Sequence, residues 1–284
     1  MAARDVIGTN AEDLLILSRA DIVRLMDYAD YVDAVAAAFR AAIEGRAVAP
    51  PASALHVPNG SFHAKGAALL GDDSKVAIKI NGNFPGNPAA NGLPTVQGVI
   101  YLADGANGRP LAVMDSIEVT INRTAAATTL AARHLARADS RVATICGAGV
   151  QGRIQLVAIA AAAKLERVHV WDTNQDAAAA FARDMAAALS LDVRASPDLG
   201  PVRDSDIVVA VIRLAAVRII RRVKCSMEKA DRKVNKWTGF RCWRRWRRVL
   251  PSPLGAICIF VLRKRLRRGG VCKSLKTLKA GMCL

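Results

Sequence analysis

The stretch that most constrains this chain is "RVATICGAGVQGRIQ" at residues 141–155. It runs from an apolar strand through a glycine turn into the start of a helix. Gly147, Gly149 and Gly152 complete a G-x-G-x-x-G. The first glycine permits the tight turn, the second lets the backbone approach a phosphate, and the third allows close packing of helix on strand. The N–H groups and dipole at the helix start favour an anion. Asp172 lies 20 residues beyond Gly152, at the end of the next predicted strand. A carboxylate there accepts hydrogen bonds from both ribose hydroxyls of NAD and repels a 2′-phosphate. Thr173 and Asn174 follow it without an adjacent arginine, so NAD is expected rather than NADP. A tight turn without a ligand is the competing reading of the motif taken alone.

The flanking pattern supplies a sheet for this turn. Strands are predicted over 141–146, 167–172, 192–199 and 205–211, with helices over 150–163 and 174–189 between them. Such alternation makes a parallel sheet. It amounts to one mononucleotide-binding half of a doubly wound fold plus its next strand. Upstream, Ser18 with Asp21 and later Gly45 mark a helical pair. "SFHAKGAAL", "KVAIKIN", "VQGVIYLAD" and "PLAVMD" read as strands of one small sheet, broken by turn-like "VPNGS", "PGNPAANGLP" and "GANGRP". An Ala-rich helix over 120–136 leads into the first Rossmann-type strand. The fold class is therefore α/β, an α+β domain followed by an incomplete doubly wound parallel sheet.

Composition changes sharply near Val211. Residues 1–211 hold 19 Lys/Arg and 22 Asp/Glu, whereas residues 212–284 hold 22 and 2. Five of the six cysteines and three of the four tryptophans also follow residue 211. The overall charge of +17 thus comes from a basic tail. The start of the chain has no secretory signal pattern, and no apolar run reaches the ~20 residues that span a bilayer. A cytoplasmic protein with no membrane partner is the default expectation, and no metal site is expected.

Several ordered motifs resemble the ornithine cyclodeaminase/mu-crystallin family over residues 14–211. They are "KINGNFPGN" (79–87), "GLPTVQG" (92–98), "GRPLAVMDS" (108–116), "NRTAAATTLAARHLA" (122–136), "GAGVQGRIQ" (147–155) and "VWDTNQDAAAAFA" (170–182). The resemblance implies a substrate-binding and dimerisation domain at 1–125 and the first part of an NAD-binding Rossmann domain at 126–211. It implies a small amino-acid or imino-acid substrate and a homodimer. Lys79 matches a lysine that contacts substrate near its reacting centre. Arg123 matches the arginine that binds the substrate carboxylate and approaches the cofactor. Thr95 matches a threonine touching the nicotinamide nucleotide, Val150 and Gln151 the pyrophosphate contacts, and Asp172 the ribose contact. The bland readings are a solvated lysine and a helix-start arginine in a salt bridge. His63 and Lys65 alternate on one strand face and are candidates to line the pocket, with a satisfied structural histidine as the alternative.

Two departures stand out. Where many members carry an arginine after a proline pair, this chain has Ala52 and Ser53. The family's catalytic aspartate lies in a G-x-D-x-P-G segment, and none follows Val211. A core strand that passes abruptly into Arg-, Trp- and Cys-rich sequence suggests a frame change or insertion, so residues 212–284 are expected to be poorly ordered and the chain inactive. The rival reading is a nucleic-acid-binding arm, with arginines for phosphates and tryptophans for stacking; a basic tail would in any case bind nucleic acid non-specifically.

Overall fold

A computed structural model of the chain describes residues 13–211 and a strand at 258–261. These residues fall into two compact units that divide between Thr124 and Ala125.

The first unit opens with strand β1 (Leu15–Leu17) and two helices, α1 (Arg19–Leu25) and α2 (Tyr28–Ile43). Each helix starts with a capping box. Ser18 N–H donates to Asp21 Oδ2 at 2.8 Å while Asp21 N–H donates to Ser18 Oγ at 3.3 Å. Asp27 and Asp30 repeat the device at 2.9 and 3.0 Å, after Met26 has turned extended. Gly45, at φ +73°, ends the pair as its position predicts.

The sheet of this unit contains β1, β2 (Ala47–Val48), β3 (Ser53–Val57), β4 (Gly60–Leu69), β5 (Lys75–Asn83), β6 (Val96–Asp104) and β7 (Pro110–Asp115). Its order is β1-β7-β6-β5-β4-β2, with β3 also paired to β4. All pairs are antiparallel except β1 with β7. The four strands read from sequence are present. β1, β2 and β3 are additional and short; β1 is held by residues nearly 100 positions away, whereas β3 forms a tight hairpin with β4, from Ser53↔Ala64 to Val57↔Gly60. The segment "PGNPAANGLP", read as a turn, contains a short helix, α3 (Asn87–Asn91), which Gly92 stops at φ +65°. Pairing puts side chains on alternating faces. One face carries His63, Lys65, Lys79 and Asn81, and the other carries Leu55, Phe62, Ile78, Ile80 and Val99.

Helix α4 (Ile117–Leu135) gives its first part to this unit and the rest to the second. The second unit then alternates β8 (Val142–Cys146), α5 (Val150–Ala160), β9 (Arg167–Trp171), α6 (Gln175–Leu189), β10 (Asp192–Ala195) and β11 (Ile207–Ala210), with a single 3-10 turn at Gly200–Arg203. The parallel order β10-β9-β8-β11 is half of a doubly wound sheet. Ile145, Leu156, Ile159, Val168, Val170, Phe181, Ile207 and Val209 are fully buried around β8. The start of β8 is pinned by Asp206, whose carboxylate accepts from Arg141 N–H at 2.9 Å, Val142 N–H at 3.1 Å and Arg137 at 2.9 Å. α5 is tied to α4 by Thr128 Oγ1 bonding Gln155 and by Thr129 Oγ1 donating to the Ala158 carbonyl at 2.9 Å.

No strand was expected after Val211, yet β12 (Cys258–Val261) pairs antiparallel to β11, from Ile207↔Val261 to Ala210↔Cys258. A parallel continuation would instead need a crossover helix. The rest of the segment read as a basic, frame-shifted or nucleic-acid-binding tail lies outside the described residues.

Candidate functional site

The glycine turn sits between β8 and α5. Gly147 has φ +117°, a backbone region that side-chain-bearing residues rarely enter. A Cβ on Gly152 would lie 2.0 Å from the Gly147 carbonyl oxygen, so this glycine sets how closely helix packs on turn. Gly149, the N-cap of α5, is different: a Cβ there would meet nothing within 4 Å. Its missing side chain leaves open space at the helix N-terminus, beside the backbone N–H groups that no helix carbonyl reaches. Val150 begins the helix and is exposed. Gln151 follows, and its buried Oε1 has no hydrogen-bond partner among the described residues.

Asp172, one residue past β9, faces back onto the turn. Its Oδ2 accepts from Ala148 N–H at 2.7 Å, and its Oδ1 accepts from Asn174 N–H at 3.0 Å. The carboxylate thereby holds the loop at the mouth of the turn. Gly147, Gly149, Val150, Gln151, Gly152 and Asp172 are thus brought together in the second unit. Cys146, which precedes the turn, is buried, and burial pushes its thiol up to about 12, so it stays protonated and inert.

In the first unit, Lys79 on β5 donates from Nζ to Thr120 Oγ1 of α4 at 3.3 Å. Arg123 lies on the same helix three residues later, hence on the same face. Lys65 is the direct cross-strand partner of Lys79. Burial is the largest cause bringing Lys79 from its ordinary 10.5 down to about 7, followed by the charges of Arg123 and Lys65. Burial also lowers Arg123. Glu118, one turn back on α4, is engaged by Arg19 and accepts from Asn122 Nδ2 at 3.4 Å. Behind Lys79, Asn81 is buried and its Oδ1 accepts from Ser116 Oγ at 2.8 Å. That pairing needs Gly98, where a Cβ would come within 2.6 Å of Asn81 Oδ1.

Lys79 and Arg123 are therefore brought together, with Lys65 beside them. Thr95 immediately precedes β6; its carbonyl accepts from Phe84 N–H at 2.8 Å. The Asn83↔Val96 pairing next to it is four residues along β5 from Lys79, or about 13 Å at the usual rise per strand residue. His63 is buried and its Nε2 lies 2.8 Å from Ser61 Oγ, which matches the structural-histidine reading. Thr120, Asn81 and Ser116 were not singled out from sequence. "DSIEVTINR" gives no local sign that its threonine meets a lysine 41 residues away.

A family model described as ornithine cyclodeaminase/mu-crystallin family matches residues 12–221, beyond the Val211 limit of the resemblance read from motifs. An alanine dehydrogenase of Archaeoglobus fulgidus is 36% identical over 169 residues, which is 60% of this chain and 51% of the relative. Among solved structures, a Thermococcus litoralis Δ1-pyrroline-2-carboxylate reductase in complex with NADH and L-proline matches with a TM-score of 0.62 at 33% identity, covering 68% of this chain and 59% of its own. An archaeal alanine dehydrogenase dimer with bound NAD gives 0.63 at 31% identity, covering 70% and 60%. The chain spans about half the length of the curated relatives it matches.

Proposed function

The chain belongs to the ornithine cyclodeaminase/mu-crystallin family, and from that premise we propose that it binds NAD and an amino or imino acid for chemistry at the α-carbon. The observation that carries the nucleotide half is the open space at Gly149, flanked by a positive-φ glycine and the Asp172 carboxylate that braces the turn. The dinucleotide's pyrophosphate fits that cradle, with Val150 and Gln151 at the helix start and Asp172 toward the ribose; Thr95 is assigned to the nicotinamide nucleotide by its family match. When bound, NAD supplies the hydride acceptor or donor for the α-carbon.

The first unit supplies the amino-acid half. The Arg123 guanidinium takes a carboxylate in a bidentate fork and so orients the α-carbon. With a pKa near 7, Lys79 is populated both with and without its proton at neutral pH. It is therefore suited to hold or take a proton at the substrate nitrogen, with Thr120 Oγ1 fixing Nζ. Cyclodeamination, dehydrogenation and imine reduction share these needs. Because the 284-residue sequence has no G-x-D-x-P-G segment after Val211, we assign it binding without turnover.

A homodimer belongs to the same proposal. The sheet face opposite Lys79 presents Leu55, Phe62, Ile78, Ile80 and Val99 at 38–65% exposure, a contiguous apolar surface of the kind that marks an interface. The archaeal alanine dehydrogenase neighbour is itself a dimer with bound NAD.

NADH fluorescence titration of the purified chain, beside Gly149→Val, tests the reading. A valine there meets no protein atom at its Cβ, so the variant is expected to keep its circular dichroism and melting behaviour while binding at least about tenfold more weakly, the equivalent of 1.4 kcal/mol. Equal binding by the variant removes the turn from the site, and steady reduction of NAD+ with alanine or ornithine overturns the assignment of binding alone.

A further inference from the structure

The proposed amino-acid site contains one cation more than the reaction needs. Arg123 accounts for an α-carboxylate and Lys79 for a proton at nitrogen. Lys65 is the remaining one, and its position is fixed by a long, regular register. β4 and β5 pair without interruption from Ser61↔Asn83 to Leu69↔Lys75, which sets Lys65 directly opposite Lys79. Strands lie about 4.8 Å apart, and side chains directly opposite share one face. Thr120 and Arg123 come onto that face from α4, tied to it by the Lys79 hydrogen bond. Like charges directly opposite in a sheet are destabilising. The pair costs the fold something, and Lys79 responds by releasing its proton more readily, under the charges of both Arg123 and Lys65.

From this juxtaposition, and resting on the amino-acid reading above, we propose that the substrate is an α-amino or α-imino dicarboxylate, with Lys65 binding its second carboxylate. The α-carboxylate goes to Arg123, the nitrogen lies toward Lys79, and the side-chain carboxylate meets the Lys65 ammonium. A substrate with an apolar side chain, such as alanine, leaves Lys65 without a ligand contact. A substrate with a side-chain ammonium, such as ornithine, is driven against it. The sheet itself contributes discrimination, because Lys65 sits mid-strand on a rigid element rather than on a loop.

Calorimetric titration of the full chain with L-aspartate, L-glutamate, L-alanine and L-ornithine, with and without saturating NAD+, tests this. L-aspartate or L-glutamate is expected to bind about tenfold or more tightly than L-alanine, as one charge-assisted contact predicts, with ornithine weakest. Lys65→Met should remove that advantage, read as the ratio of aspartate to alanine affinity, which falls about tenfold toward one whatever the change common to both ligands. Lys65→Glu should move the preference toward ornithine, and circular dichroism of both variants confirms folding. Equal binding of aspartate and alanine by the wild type, or loss of both ligands alike in Lys65→Met, overturns the dicarboxylate assignment and leaves the broader reading standing. If no amino acid binds and Arg123→Met behaves like the wild type, the broader reading fails with it.

Discussion

Replacing Lys79 by methionine should change how stability responds to pH, in a direction set by the structure. An unfolded lysine holds its proton up to about 10.5, whereas the folded chain releases the Lys79 proton near 7. Between those values the unfolded state binds more protons, so stability rises with pH through that window. Below pH 7 both states are protonated, and the folded chain bears the full penalty of a charged ammonium among Arg123 and Lys65. The slope is about 1.36 kcal/mol per pH unit per proton. Between pH 7 and pH 9 the wild type should therefore gain about 2 kcal/mol from this residue. Methionine fills similar space without a proton to lose. Lys79→Met should thus exceed the wild type most at and below neutral pH, with the gap narrowing by about 2 kcal/mol by pH 9. Urea unfolding of both proteins at pH 6, 7, 8 and 9 measures the gap. A gap that stays constant over that range shows that Lys79 keeps an ordinary pKa and refutes the role assigned to it.

Two further outcomes follow from the glycine turn. Gly152→Ala places a methyl 2.0 Å from the Gly147 carbonyl oxygen, so helix and turn must separate, at a cost of about 1–3 kcal/mol in urea unfolding; an unchanged midpoint would mean the close packing is not needed. Asp172→Ala removes the acceptor for Ala148 N–H and Asn174 N–H and should cost about 1–3 kcal/mol. NADH affinity should fall with it by at least about tenfold, seen by fluorescence, and a variant that loses stability but binds normally denies the carboxylate a ribose contact.

What was legible in the sequence was local. The capping box at Ser18 and Asp21, the stop at Gly45 and the glycine turn with its acid each lie within a few residues or one βαβ unit, and each is present where expected. Short elements held by distant partners were not legible. Leu15–Leu17 is a strand because β7, nearly 100 residues later, pairs with it, and three residues carry no periodicity of their own. Asn87–Asn91 resembled a turn because Pro88 and its flanking asparagines favour both a turn and the first turn of a helix. The site divides in the same way. Lys79 and Arg123 were picked out by motif, but their common face depends on sheet register and on Thr120. Lys65 was visible only as a residue alternating with His63, and the cation opposite it had to come from another strand.

The carboxylate of Asp172 reaches across to an amide of the turn that precedes it in sequence by 24 residues. One side chain is therefore the strut of the loop and, on the function proposed above, also its reading head. Redesigning this chain to prefer a phosphorylated ribose cannot proceed by exchanging that acid for a neutral or basic residue alone, since the same exchange withdraws the brace from Ala148. A successful redesign has to install a replacement acceptor for that amide first. On that proposal, nucleotide preference is coupled to backbone shape through a single pair of oxygens.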